Sequence, residues 1–71
     1  MSVTEATLTN WIDRVRSEYV EMPGLALTRW QMRRLWRFDG FVCDAVVDAL
    51  VKSGFLRERQ DRAFVRVAKY V

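Results

Sequence analysis

At Gly54 the spacing of apolar residues changes, and that change limits the folds open to this chain. Before it, apolar residues recur every three or four positions, the period of an amphipathic helix. After it, Phe55-Leu56-Arg57-Glu58-Arg59 and Ala63-Phe64-Val65-Arg66-Val67 read as two strands. The second of these alternates apolar and β-branched residues with charge, the period of a half-buried strand. Gln60-Asp61-Arg62 is a turn between them, so the pair is a hairpin. Helices followed by a hairpin within 71 residues leave room for one hydrophobic core. The expectation is therefore an α+β fold, with residues 1–71 forming a single domain.

Three helices precede the hairpin. The first is predicted from about Glu5 to Glu21, with Leu8, Trp11, Ile12, Val15, Tyr19 and Met22 on one stripe. Thr4 caps its start, and Pro23-Gly24 ends it because proline cannot continue the hydrogen-bond ladder. Leu25-Ala26-Leu27 is a short extended piece. Thr28 and Gln31 then match a capping box for a second helix from Arg29 to about Arg37, with Met32, Leu35 and Trp36 inward. Phe38-Asp39-Gly40 breaks it, and Asp39 caps a third helix from about Gly40 to Ser53. Cys43, Val46, Val47 and Leu50 make its inner face, and Gly54 closes it in a left-handed conformation. The expected core is Leu8, Trp11, Ile12, Val15, Tyr19, Leu27, Met32, Leu35, Trp36, Cys43, Val46, Val47, Leu50, Leu56 and Phe64.

Composition removes several classes of function. With 51% hydrophobic and 30% charged residues the chain is globular, not disordered. It has no histidine, the commonest general base and metal ligand, and its single cysteine, Cys43, cannot build a disulfide or a thiolate cluster. Its acids show no matched pair, and its three glycines stand singly at turns, so no phosphate-binding loop is present. The chain is expected not to be an enzyme and to need no cofactor and no metal. No apolar run approaches the length of a membrane span, and Met1 to Asn10 lacks a basic cluster followed by an apolar run. A cytoplasmic binding domain is expected, without a membrane partner.

Charge is distributed in blocks. Residues 25–38 carry Arg29, Arg33, Arg34 and Arg37 with no acid, and residues 39–54 carry Asp39, Asp44 and Asp48 against Lys52. Residues 55–71 are basic again and residues 1–24 are acidic. The overall net charge of +3 is mild, so the alternation says more than the total.

The order of three short helices and a hairpin resembles a winged helix-turn-helix domain. The stretch Leu27-Thr28-Arg29-Trp30-Gln31-Met32-Arg33-Arg34-Leu35-Trp36, the turn Phe38-Asp39-Gly40, and Cys43 followed by Ala49-Leu50-Val51-Lys52-Ser53-Gly54-Phe55-Leu56 are similar to bacterial winged-helix transcriptional regulators. Leu50, three residues, Gly54, two hydrophobics and Arg57 form a frequent closing phrase of their recognition helix. Asp61-Arg62 resembles the wing tip of regulators of the multiple-antibiotic-resistance type. The resemblance covers about residues 8–67. It implies that the second helix stands over the phosphate backbone, the third enters the major groove and the hairpin is the wing. A role in transcription regulation follows as an expectation.

The residues that would carry DNA binding fall in three groups. On the second helix, Thr28 and Arg29 lead into Trp30, Arg33, Arg34 and Arg37, spaced to share one outer face. Arginine forks suit phosphate and an indole can stack on a base, or Trp30 packs against the hairpin or a second copy and the arginines solubilise. On the third helix the outward residues are Phe41, Asp44, Ala45, Asp48, Ala49 and Lys52. Aspartate can accept a hydrogen bond from cytosine, or the stripe is solvated and Asp48 pairs with Lys52. On the wing, Arg57, Arg59, Arg62 and Arg66 either meet DNA, with Arg62 at the minor groove, or defend an edge strand by charge.

Double-stranded DNA is the expected partner. The rival reading is a protein-interaction module on the same fold, favoured by the acidic third helix. A continuous basic band from the second helix to the wing would support DNA, and a band split by Asp39, Asp44 and Asp48 would support a protein. A homodimer or a larger assembly is also expected, through the first helix or the C-terminal tail, because Trp30, Val65, Val67, Tyr70 and Val71 offer exposed apolar surface.

Overall fold

The computed structural model describes residues 5–67. The first helix, α1, spans Glu5–Glu21. Its stripe is only partly sealed: Val15 and Tyr19 are fully buried, while Leu8, Trp11 and Ile12 are half-buried against the core. Met22, expected on that stripe, lies beyond the helix end and is exposed. Thr4, expected as the cap, is outside the described residues.

The chain leaves α1 through Pro23-Gly24 and forms a two-residue strand, β1 (Ala26–Leu27). The second helix, α2, spans Arg29–Trp36. The expected capping box closes its start: the Gln31 N–H donates to the Thr28 hydroxyl at 3.2 Å and the Thr28 N–H donates to Gln31 Oε1 at 2.9 Å. Helix α2 ends when Arg37 adopts a left-handed conformation, φ 56°. This turns Phe38 back into the core, where its ring lies 4.8 Å from Trp11 and 6.0 Å from Trp36. Asp39 caps the third helix, α3 (Gly40–Lys52), accepting from the Val42 N–H at 2.8 Å.

At the end of α3 the Phe55 N–H donates to the Leu50 carbonyl and the Gly54 N–H to that of Val51, both at 3.0 Å. This double closure needs a left-handed residue, and Gly54 supplies it at φ 83°. The hairpin follows as β2 (Leu56–Glu58) and β3 (Phe64–Arg66). At its tip the Arg62 N–H donates to the Arg59 carbonyl, and Arg62 takes φ 72°, a position where glycine is usual.

The sheet has three antiparallel strands in the order β1-β3-β2, with Leu27 opposite Phe64 and Phe64 opposite Glu58. The hairpin alone was expected, so β1 is a correction. Two residues are too few to show a period, and their partner lies at the far end of the chain. The three helices pack with the sheet around Val15, Tyr19, Met32, Trp36, Cys43, Val46, Val47, Leu50, Leu56 and Phe64. Two further core residues, Phe38 and Val42, were not anticipated, and Leu35 is a second correction. Leu35 is 57% exposed, because the buried arc of α2 is set by Met32 and Trp36, one turn apart.

Candidate nucleic-acid interface

The outer side of α2 keeps the arginines and Trp30 together. Trp30 is 61% exposed, and the Arg34 guanidinium stands 4.7 Å from its ring centroid. Trp30, Arg33, Arg34, Arg37, Phe38 and Asp39 border a shallow depression of about 440 Å³. Arg33 lies across the start of α3, since a Cβ placed on Gly40 would sit 3.4 Å from its Cζ. Arg33 and Arg34 occupy the last turn of α2, where cations complement the helix dipole. Among the described residues, Arg33, Arg34 and Arg37 form no ion pair, so their charge faces solvent.

Arg29 is placed differently from its expected role. Its Nη1 lies 2.9 Å from Asp44 Oδ1 and its Nη2 lies 3.3 Å from Asp48 Oδ1, while its Cζ stands 5.0 Å from the Phe64 ring centroid. One guanidinium thus ties α2 to two successive turns of α3 and rests on β3. Among the described residues, Asp48 forms no ion pair with Lys52, and Arg29 takes the place of Lys52. The α2–α3 contact brings Arg29 there. The Cys43 thiol donates to the Arg29 carbonyl at 3.6 Å, so the backbone of α2 is held close to α3. Burial pushes the Cys43 thiol up, with Asp44 adding and Arg29 and Arg33 opposing, which keeps it protonated and unreactive.

The remaining outward positions of α3 are mixed. Phe41 is 70% exposed and Ala45 half-buried. Asp44 and Asp48 are exposed but engaged, and Thr28 is half-buried and committed to its cap. On the hairpin, Arg57 is exposed without an ion pair. Arg59 grips Asp61 with two hydrogen bonds, of 3.2 and 2.7 Å. That guanidinium, with the Ala63 N–H, holds the Asp61 carboxyl below the usual carboxylate range. Arg62 pairs with Glu58 at 3.7 Å. Arg66, also expected on the wing, lies over the Phe55 ring at the base of the hairpin.

The cations therefore do not act as one set. Among the described residues, Arg33, Arg34, Arg37 and Arg57 form no ion pair, whereas Arg29, Arg59 and Arg62 pair with acids of the chain itself. Asp44 and Asp48 sit on the helix that follows the free arginines. Of the apolar residues expected to be exposed, Val65 and Val67 are half-buried, and Tyr70 and Val71 lie outside the described residues. Among the described residues, no group of three or more cysteines and acids gathers to hold a metal ion, and no helix is long and apolar enough to cross a membrane. No protein-family model, curated protein or solved structure matches the chain.

Proposed function

We propose that this chain is a winged helix-turn-helix module that binds double-stranded DNA, as a small transcriptional regulator without catalytic activity. One observation carries the reading: Arg33, Arg34 and Arg37 surround an exposed Trp30 and, among the described residues, have no ion pair of their own. Planar guanidiniums around a shallow, open depression suit the phosphate oxygens of an extended chain. Helices α2 and α3, joined by a tight turn and followed by a hairpin, supply the arrangement such a module requires. Asp44 and Asp48 are already bound to Arg29, so α3 contributes little base readout. Affinity comes mainly from phosphates and depends weakly on sequence.

The test is fluorescence anisotropy with random-sequence duplex DNA over a salt series. Four free arginines, Arg33, Arg34, Arg37 and Arg57, give a slope of log affinity against log salt of about −3.6, or roughly a hundredfold loss between 50 and 200 mM. Failure to bind at the lowest salt, or a flat response, refutes the proposal.

A second reading, a protein-interaction module on the same fold, rests on Phe41. This side chain is open to water on the same outward side of α3 as Asp44 and Asp48, and a largely exposed aromatic flanked by acids suits a basic, apolar partner better than a phosphate groove. Under that reading F41A removes a partner interaction and leaves any DNA binding intact.

A further inference from the structure

A second basic site lies at the base of the hairpin, built from three segments far apart in sequence. The Arg16 Cζ on α1 stands 5.2 Å from the Phe55 ring centroid, and the Arg66 Cζ at the end of β3 stands 5.7 Å from the same centroid. Both arginines border one cavity of about 400 Å³, together with Pro23, Ser53, Phe55 and Val67. The walls are fixed. Phe55 meets Tyr19 edge-on at 6.4 Å, and the Val67 N–H donates to the Phe55 carbonyl at 2.8 Å.

Two guanidiniums converge here on one ring, and among the described residues neither forms an ion pair. Asp13 lies one turn before Arg16 on the same helix, within the usual reach of a helical pair, yet Arg16 extends to Phe55 instead. Among the described residues no acid lines this cavity, so the gathered like charges raise the local potential, and an anion entering the cavity relieves it. Ser53 and Gly54, which follow the C-terminal end of α3, also line the cavity, and the carbonyls at that helix end would repel an anion. Those of Leu50 and Val51 already accept hydrogen bonds from Ser53, Phe55 and Gly54, which mutes that repulsion. The remaining lining from Pro23, Phe55 and Val67 is apolar and suits a short hydrocarbon or aromatic body.

We propose that this cavity binds a small organic oxyanion, a carboxylate or phosphate monoester on a compact apolar body, with the charged end between Arg16 and Arg66. Its size lies within the range of ligand pockets. Arginine forks accept carboxylate and phosphate in the same planar geometry, so one site serves both. The site is separate from the α2 surface, and its test does not depend on DNA binding.

The experiment titrates the whole isotope-labelled protein with benzoate and with phenyl phosphate. Amide signals of Gly54, Phe55 and Val67 and the side-chain signals of Arg16 and Arg66 are followed, with sodium chloride at matched ionic strength as control. Saturable shifts in the millimolar range are expected for at least one probe. Affinity should fall about tenfold in R16Q and in R66Q, as for loss of a charged hydrogen-bond partner. R14Q, which removes a cation elsewhere on α1, should leave the titration unchanged. If R66Q disturbs β3, R16Q alone decides. The proposal is overturned if neither probe saturates, if R16Q titrates like the natural protein, or if the same signals move only with duplex DNA.

Discussion

Replacing both aspartates of the Arg29 clamp, D44N/D48N, tests what the third helix does. The fold should barely notice. The side chains are 38% exposed for Arg29, 62% for Asp44 and 60% for Asp48, so water screens both pairs. Exposed pairs of this kind are each worth about 0.2–1 kcal/mol. DNA binding should change more. Two negative charges leave a face set against phosphates. At roughly 8 Å in water-like dielectric each repulsion is about 0.5 kcal/mol, so together they amount to about 1 kcal/mol. The released Arg29 adds one phosphate contact and steepens the salt slope by about 0.9. The expected result is an affinity about tenfold higher at low salt, a steeper slope and an unfolding midpoint close to that of the natural protein. Anisotropy over a salt series, with thermal unfolding alongside, reads all three. A drop in affinity accompanied by loss of a preference for cytosine would show that the carboxylates read bases, and the clamp argument would be wrong. No change in affinity would place α3 away from the DNA.

Burial pushes the Tyr19 hydroxyl up to about 12, and it donates to the Phe64 carbonyl at 2.8 Å. Because the folded value lies above the unfolded one of about 10, stability is intact below pH 10 and falls between pH 10 and 12, by up to about 2–3 kcal/mol. Chemical unfolding of Y19F should lose that alkaline component and cost about 1–2 kcal/mol at neutral pH; an unchanged alkaline profile refutes the assignment. Substitution at the two left-handed positions should have opposite signs: G54A destabilises by about 1–2 kcal/mol, and R62G stabilises by up to about 1 kcal/mol, as read by thermal unfolding. Equal signs would contradict the two backbone conformations. The homodimer expected through α1 or the C-terminal tail should sediment at twice the chain mass at micromolar concentration, and a single species at the mass of one chain excludes it.

The helices, caps and hairpin are legible in the sequence because each rests on local chemistry. The Thr28–Gln31 box, the Asp39 cap and the Gly54 closure are short-range rules, and each is found where those rules place it. What is not legible depends on where the helices meet. Leu35 satisfies the helical period as well as Met32 does, but the crossing of α2 over α3 selects Met32 and Trp36 and leaves Leu35 in water. Strand β1 has no period to read, and its pairing with β3 exists only once the chain has closed on itself.

Charge shows the same limit more sharply, and there it bears on function. Along the chain, Arg29, Arg33, Arg34 and Arg37 look alike, and a count of basic residues treats them as equal. In the fold, Arg29 faces Asp44 and Asp48, whereas Arg33, Arg34 and Arg37 face solvent around Trp30. Arg59 and Arg62 are held by acids two and four residues away, while Arg66 lies over Phe55, which it shares with Arg16. The charge available to a partner is therefore set by tertiary pairing, not by the total. Arg33, Arg34 and Arg37 gather beside a shallow depression on α2, Arg16 and Arg66 meet at a cavity by the hairpin base although they come from the first helix and the last strand, and Arg57 stands on β2. Both arginines of the cavity are exposed, so the two sites differ in lining rather than in reach: Pro23, Phe55 and Val67 give the cavity an apolar wall, whereas Arg33, Arg34, Arg37 and Asp39 give the α2 depression a charged rim.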